Sequence, residues 1–163
     1  MSSKKDKFYL KLALNLAKQH EGLTGENPSV GCIIVKNNKI LSLSKTSING
    51  RPHAEVNAIR LANKNDLKGS TIYVTLEPCT HHGKTPPCTD LIVKKKISKI
   101  VYASNDIDER TANKLKKVLK NHNISTKQIR MKEITDFYKS YFFIRKNKFP
   151  YICLLYTSDA ADE

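Results

Sequence analysis

One imidazole, one carboxylate and two thiols stand at spacings suited to metal chemistry. His53 lies two residues before Glu55, and Cys79 and Cys88 follow further along the chain. An imidazole and two thiolates fill three of the four tetrahedral positions of a zinc ion and leave the fourth for water, as in a catalytic zinc site. Glu55 is close enough in sequence to act on that water as an acid and base without binding the metal.

A structural zinc site is the alternative, and it would need a fourth protein ligand. The nearby candidates are Cys32, His81 and His82. Cys32 falls within the apolar segment 30–35, where a buried core thiol is the expected role. His82 lies in a polar loop and is expected to face solvent. The pattern therefore favours a catalytic site over a closed structural one.

Hydrophobic periodicity predicts helices that alternate with mostly buried strands. The predicted helices span residues 5–21, 53–62, 88–96, 111–121 and 133–145, and the predicted strands span 30–36, 39–44, 71–76, 97–103 and 124–129. Such alternation predicts an α/β protein, a three-layer α/β/α sandwich. His53 and Glu55 then fall in the first turn of one helix and Cys88 at the start of another, where the helix dipole favours thiolate and hydroxide.

Composition limits the classes of protein to be considered. At 163 residues the chain has the length of one domain, and its formal net charge is +14. Most of the basic residues are scattered lysines, which argues against a nucleic-acid partner despite the charge. No apolar run reaches about 18 residues, and residues 1–7 show no secretory signal. Four cysteines without such a signal indicate a reducing compartment, so a cytoplasmic protein is expected.

The pattern His-x-Glu, then Pro-Cys and a second Cys, resembles that of the zinc-dependent deaminases. Members that act on nucleosides or tRNA mostly have two residues between the cysteines, whereas eight separate Cys79 from Cys88. Residues 77–88 (Glu-Pro-Cys-Thr-His-His-Gly-Lys-Thr-Pro-Pro-Cys) closely resemble the riboflavin-biosynthesis pyrimidine deaminases. Segments 27–32, 50–58 and 73–77 extend the resemblance, which runs from about residue 8 to residue 151.

This resemblance implies a cytidine-deaminase-like fold with a mixed central sheet of about five strands. It implies hydrolytic deamination of 2,5-diamino-6-ribosylamino-4(3H)-pyrimidinone 5′-phosphate to 5-amino-6-(5-phosphoribosylamino)uracil and ammonia. The implied roles are zinc ligation by His53, Cys79 and Cys88, proton transfer by Glu55, and substrate binding by Asn27, His81 and Lys84. From spacing alone, Lys84 would be an ordinary solvated lysine. A phosphorylated ribosylaminopyrimidine is thus the expected partner, and homo-oligomers are common in this fold.

Two segments depart from the pattern of that family. Thr46 stands where many members have a histidine, so a base contact there is lost or changed. Asp106-Ile107-Asp108-Glu109 stands where they have Asp-Pro-Asn-Pro, and an added carboxylate would repel a phosphate. We expect both to affect substrate binding, and neither to affect the zinc ligands or Glu55.

The resemblance also predicts how the chain is divided. Residues 1–147 would form the deaminase domain, and 148–152 resemble the first residues of the reductase domain that follows it in bifunctional members. Residues 153–163 change in composition and resemble a translated sequencing adapter. The expectation is a truncated bifunctional enzyme without reductase activity, in which Cys153 belongs to no site.

Two other functions remain to be separated from this one. A nucleoside or tRNA deaminase would share the fold and benefit from the positive charge, but the eight-residue spacing argues against it. A zinc-stabilised binding module without catalysis is the second. Glu55 argues against that module, since a structural site has no use for a carboxylate beside an open position.

Overall fold

The computed structural model describes residues 2–108, 110–148 and 151. In chain order the elements are α1 (Ser2–Lys18), β1 (Gly31–Lys36), β2 (Lys39–Lys45), α2 (Ala54–Leu61), β3 (Thr71–Leu76), α3 (Cys88–Lys94), β4 (Lys99–Ser104), α4 (Leu115–Leu119), β5 (Ser125–Gln128), α5 (Lys132–Phe137) and α6 (Lys139–Asn147). Short 3-10 turns occupy Ile48–Gly50 and Lys120–His122. Each predicted strand is present, and its ends lie within two residues of the predicted ones.

The five strands form one mixed sheet in the order β2-β1-β3-β4-β5. Strand β1 pairs antiparallel with both β2 and β3, whereas β3–β4 and β4–β5 are parallel. Asn37 and Asn38 both have positive φ, at 48° and 66°, and form the tight turn that joins β1 to β2. The parallel pairs are instead connected through α3 and α4, as parallel strands require. The predicted mixed sheet of about five strands is confirmed.

Helices cover both faces of this sheet, because successive side chains of a strand point to opposite faces. On one face, Tyr73 donates a hydrogen bond to Asp6 of α1 over 2.9 Å, and Thr75 lies 2.6 Å from the hydroxyl of Tyr138. On the other face, Ser42 donates to the carbonyl of Ala58 in α2 over 2.8 Å. The predicted α/β/α sandwich is confirmed.

Helix α1 lies directly across β1 at a glycine. A Cβ atom on Gly31 would overlap the carbonyl oxygen of Ala13, so a larger residue would push the helix away from the sheet. Leu10, Ala13, Leu14 and Ala17 bury the apolar side of α1 there. The glycine that precedes Cys32 is therefore required by packing.

The first three predicted helices are present with ends that differ by up to three residues, and the last two differ more. The helix predicted over 111–121 begins only at Leu115, because Asn113 has a left-handed φ of 60° that an α-helix cannot contain. The helix predicted over 133–145 is two helices that meet at Tyr138. The hydroxyl of this buried tyrosine donates to the carbonyl of Ser29 over 3.0 Å. This hydrogen bond fixes the chain at the break between the two helices.

Some sequence predictions lie outside the described residues. Apart from Lys148 and Tyr151, this holds for the proposed start of a reductase domain at 148–152 and the proposed tail at 153–163, with Cys153. Glu109 is outside them as well. Of the helices in the described ranges, none combines the length and the hydropathy that a membrane span requires.

Candidate metal centre and active site

The three predicted zinc ligands lie together at one end of the sheet. Nδ1 of His53 is 3.4 Å from Sγ of Cys88 and 3.7 Å from Sγ of Cys79. All three ligand atoms lie within 4.8 Å of one another. Tetrahedral zinc with ordinary Zn–N and Zn–S bonds places its ligand atoms about 3.4 to 3.8 Å apart. The donor set and its spacing therefore fit a zinc ion that keeps one position for water.

Each ligand is positioned by the start or end of a regular element. Cys79 follows β3 after Glu77 and Pro78, and Cys88 is the first residue of α3. The amide of Cys88 donates to Sγ of Cys79 over 3.2 Å. His53 has extended backbone angles (φ −67°, ψ 159°) and immediately precedes α2, so the prediction that it lies within the first helical turn was wrong by one residue.

Asn57 holds the segment that leads to His53. Its side-chain amide donates to the carbonyl of Lys45 over 3.0 Å, to Oγ of Ser47 over 2.9 Å and to the carbonyl of Pro52 over 3.3 Å. One helical side chain thus ties the end of β2 to the residue before His53. The histidine is anchored from the helix that it precedes.

Charge is distributed unequally between the two thiols. Hydrogen bonds from the Cys88 thiol, the His53 ring and the Cys88 amide hold the pKa of Cys79 well below its ordinary value, although burial opposes this. The neighbouring Cys79 and burial raise the pKa of Cys88. One thiolate is therefore stabilised by the protein itself, and a divalent cation supplies the charge that deprotonates a coordinating thiol.

Glu55 lies in the first turn of α2 and is only 4% exposed. Burial raises the pKa of its carboxyl to about 7, although the nearby His53 ring opposes the shift. A carboxyl group with a pKa near neutrality can both accept and release a proton in the working range of most enzymes. Its position beside the three ligands suits it to exchange protons with a water molecule there.

A cavity of about 560 Å³ opens above this centre. His53, Glu55 and Cys79 form part of its lining, and so do the predicted substrate-binding residues Asn27, His81 and Lys84. The volume lies within the range of small-molecule sites. The structure thus brings every predicted site residue to one place: Cys88 by its contacts with Cys79 and His53, and the others at the cavity wall.

Asn27 is held in the cavity wall by a glycine. Its side-chain amide donates to the carbonyl of Gly50 over 3.1 Å, and its own carbonyl accepts the hydroxyl of Thr24 over 2.7 Å. Gly50 has a φ of 84°, and a Cβ there would lie 2.5 Å from Nδ2 of Asn27 and 2.6 Å from the carbonyl oxygen of Thr24. Glycine is required at this position by both space and backbone conformation.

Loop 80–87, which separates the two cysteines, forms another wall. Nη1 of Arg51 donates to Oγ1 of Thr85 over 2.8 Å, which connects the loop to the residue before Pro52. His81 is half-buried and lies 2.9 Å from Oγ1 of Thr111, measured from Nδ1. Lys84 is exposed, and so is His82, as predicted.

Thr46 borders the cavity, and so do Asp106 and Asp108 of the departing segment 106–109. Thr46 is buried, and its hydroxyl accepts the amide of Val30 over 3.0 Å, so the residue supports the start of β1. Asp106 accepts the amide of Asp108 over 3.1 Å. Asp108 in turn forms a two-pronged ion pair with Arg110, whose Nε lies 2.9 Å from Oδ1. The charge of Asp108 is therefore compensated locally.

Three residues of this region were given no role from the sequence, namely Arg51, Glu77 and Thr111. Glu77 is buried and accepts the amides of Asn113 and Leu115 over 3.1 and 3.2 Å. A carboxylate between a predicted strand and a predicted metal ligand is a sequence signal that could indicate this role for Glu77. The contact between Thr111 and His81 has no sequence signal, because 30 residues separate the two in the chain.

A His/Cys/Cys centre beside a buried glutamate on this fold defines a zinc-dependent hydrolytic deaminase. The family described as cytidine and deoxycytidylate deaminase zinc-binding region matches residues 3–104. The chain is 41% identical to a diaminohydroxyphosphoribosylamino-pyrimidine deaminase of Buchnera aphidicola, over 86% of this chain and 95% of the relative. It is 52% identical to the riboflavin biosynthesis protein RibD of Aquifex aeolicus, over 62% of this chain and 28% of that protein.

Among solved structures, RibD of Acinetobacter baumannii matches with a TM-score of 0.84 and 35% identity, covering 93% of this chain and 43% of that one. The chain therefore spans less than half of these RibD relatives and nearly all of the Buchnera protein. It belongs to the cytidine and deoxycytidylate deaminase family and, within it, to the deaminases of riboflavin biosynthesis.

Proposed function

We propose that this chain deaminates 2,5-diamino-6-ribosylamino-4(3H)-pyrimidinone 5′-phosphate by hydrolysis, with a zinc ion held by His53, Cys79 and Cys88. The observation that carries the proposal is the buried carboxylate of Glu55 beside this ligand set, in the wall of a cavity of about 560 Å³. Support for the substrate comes from the Buchnera relative, whose name specifies that pyrimidine. The products are 5-amino-6-(5-phosphoribosylamino)uracil and ammonia.

Bound at this centre, zinc supplies a Lewis acid that makes water a nucleophile near neutral pH. Glu55 takes a proton from the water that attacks C2 of the pyrimidine and gives it to ring N3. The same group, again a carboxylate, then takes the second proton from the oxygen now bonded to C2 and gives it to the departing amine. The C–N bond breaks, ammonia leaves and the C2 carbonyl forms. Because Glu55 is buried, bulk water does not compete for these protons.

Substrate recognition is assigned to the cavity wall. Asn27 and His81 offer hydrogen bonds to the pyrimidine and its substituents, and Lys84 offers a charge at the exposed loop 80–87. Arg51 and Arg145 also border the cavity, and together with Lys84 they are the candidates to meet the 5′-phosphate. A guanidinium group is suited to a phosphate because its planar fork can donate two parallel hydrogen bonds.

A nucleoside or tRNA deaminase is the less favoured alternative. Solved structures of a cyanophage dCMP deaminase and a tRNA deaminase match at 22% and 23% identity, which indicates a common fold. By contrast, relatives from Aquifex aeolicus and Actinobacillus pleuropneumoniae, at 52% and 40% identity, are named riboflavin biosynthesis protein RibD. Residues 80–87, which lengthen the spacing between the cysteines, contribute His81, Gly83, Lys84 and Thr85 to the cavity wall.

The deaminase activity is assigned to residues 1–147. A solved relative from Thermotoga maritima carries both a deaminase and a reductase name, and this chain covers 43% of it at 35% identity. The reductase reaction of that protein forms no part of the proposed activity.

Release of ammonia by the zinc-loaded 163-residue chain tests the proposal directly. We expect turnover with the diaminopyrimidinone ribotide, and none with cytidine, dCMP or tRNA. A Glu55→Ala variant prepared in parallel should retain zinc and lose turnover. Deamination of cytidine or tRNA in preference to the ribotide would overturn the assignment, and equal zinc content without turnover in either protein would favour a binding module.

A further inference from the structure

Loop 80–87, which carries His81, is joined to the segment that follows β4. Nδ1 of His81 lies 2.9 Å from Oγ1 of Thr111, and the hydroxyl of Thr80 donates to the carbonyl of Arg110 over 3.3 Å. Thr111 is completely buried, whereas His81 is half-buried and lines the cavity. The threonine therefore lies behind the histidine ring as seen from the cavity.

The segment that carries Thr111 is itself fixed by the strand that precedes the metal ligands. Glu77 follows β3 directly, and its carboxylate accepts the amides of Asn113 and Leu115. The amide of Thr111 donates to the carbonyl of Asp108 over 2.8 Å. These bonds give the Thr111 hydroxyl a defined position relative to Cys79, which lies two residues after Glu77.

An imidazole ring has two nitrogen atoms, and in the neutral ring one donates and the other accepts. Since Nδ1 of His81 is engaged by Thr111, a ligand in the cavity must use Nε2. Within the described part of the chain, His81 is the hydrogen-bond partner found for the Thr111 hydroxyl. A buried hydroxyl that accepted from Nδ1 would leave its own hydrogen without a partner, which is costly. The favoured arrangement has the hydroxyl donating to Nδ1, so that Nε2 carries the proton.

We propose that Thr111 is a positioning residue that fixes the His81 ring and makes its Nε2 a hydrogen-bond donor toward the cavity. His81 then selects substrates that place an acceptor there, such as a ring carbonyl or a phosphate oxygen. This inference rests on the proposed function for the identity of the substrate. The contact between Thr111 and His81 does not depend on it.

Nuclear magnetic resonance of the histidine rings tests the hydrogen bond without any substrate. In the zinc-loaded full chain labelled with 15N-histidine, at about pH 8.5 where imidazoles are generally neutral, the His81 signals should show the proton on Nε2. The His81→Asn variant assigns those signals by their loss. A proton found on Nδ1 of His81 in the wild-type protein would overturn the proposal, whether or not any variant folds.

The kinetics of two Thr111 variants provide a second test of the positioning role. Thr111→Val keeps the shape and removes the hydroxyl; we expect about a 10-fold higher KM for the ribotide, a similar kcat and unchanged zinc content. Thr111→Ser keeps the hydroxyl and should restore KM. An unchanged KM in Thr111→Val, or no rescue by serine, would refute the positioning role. If the wild-type chain fails to turn over the ribotide, the proposed function fails, while the ring signals still decide on Thr111.

Discussion

The backbone amide of Cys88 donates a hydrogen bond to Sγ of Cys79 over 3.2 Å. The first residue of α3 thus stabilises the sulfur of the other cysteine while placing its own sulfur 3.4 Å from His53. A thiolate that accepts an amide hydrogen bond keeps its charge more readily in a buried site. A hydrogen bond between the two cysteines therefore closes the eight-residue loop that separates them, and this bond does not require a metal ion.

Loss of the Cys79 thiol should strongly weaken zinc binding. In Cys79→Ser, we expect zinc affinity to fall by more than the 10- to 100-fold that outer-shell changes generally cost, because a ligand itself is removed. Elemental analysis of the purified protein measures this as zinc per chain. Cys32→Ala is the matched control, since Cys32 is a buried thiol outside the cluster and should leave zinc content unchanged. Full zinc occupancy in Cys79→Ser would contradict the assigned ligand set.

Replacing the buried carboxylate should separate chemistry from metal binding. Glu55→Gln keeps the size of the side chain and removes its ability to accept a proton. We expect kcat to fall about 100- to 10,000-fold, the usual contribution of a general acid and base, with zinc content and melting temperature nearly unchanged. A decrease of less than tenfold, measured by ammonia release at saturating ribotide, would show that another group moves the proton.

Gly50 should act on substrate binding through Asn27. A Cβ at residue 50 would collide with Nδ2 of Asn27 and the carbonyl of Thr24, so Gly50→Ala must displace the cavity wall. We expect KM for the ribotide to rise about tenfold, an effect comparable to one lost hydrogen bond.

Gly69→Ala is the control for backbone strain. Gly69 has a similar φ of 77°, compared with 84° for Gly50, but nothing lies within 4 Å of a Cβ at that position. The positive φ alone should cost each variant about 1 kcal/mol of stability, as measured by chemical denaturation. Gly50→Ala should lose more than Gly69→Ala, because its Cβ also collides with Asn27 and Thr24. Only Gly50→Ala should change KM, and equal kinetics in the two variants would remove Asn27 from the binding site.

Asp6 should make folding stability depend on pH. Its carboxylate accepts Nζ of Lys127 over 2.7 Å and the hydroxyl of Tyr73 over 2.9 Å. Burial raises the pKa of Asp6, but these hydrogen bonds and the nearby charges of Lys99 and Lys127 outweigh it, and the net pKa is lowered. A lowered carboxyl pKa contributes stability above the unfolded value of about 3.9, and this contribution is lost as the pH falls through the folded value.

The corresponding variant is Asp6→Asn. At pH 7 we expect it to lower the free energy of unfolding by about 2 kcal/mol, since a charged hydrogen-bond acceptor is lost. The difference from wild type should shrink as the pH falls below about 4. Asp136→Asn removes a carboxylate from the exposed ion pair with Lys139 and should change the denaturation midpoint little. A difference between Asp6→Asn and wild type that persists unchanged at low pH would contradict the charge-based explanation.

The strands and the grouping of His53, Glu55, Cys79 and Cys88 could be predicted because their signals are local. His53 and Glu55 are two residues apart in the chain, and β3 is a short β-branched run that ends two residues before Pro78. The break at Tyr138 could not be predicted, because it depends on a buried hydroxyl bond to Ser29, 109 residues away. The same holds for Thr111, whose role depends on a loop brought to it by the folding of two neighbouring strands.

The parallel pairing of β3 and β4 places two loops with different duties at one edge of the sheet. The loop after β3 bears Cys79 and leads to Cys88 at the start of α3. The segment after β4 bears Asp106, Asp108 and Thr111, which are 27 to 32 residues beyond Cys79 in the chain. We therefore expect substitutions in the second segment to alter which molecule binds, while His53, Glu55, Cys79 and Cys88 stay unchanged. A fold that carries its metal ligands and its substrate contacts on separate loops can change its substrate during evolution while it keeps the same reaction.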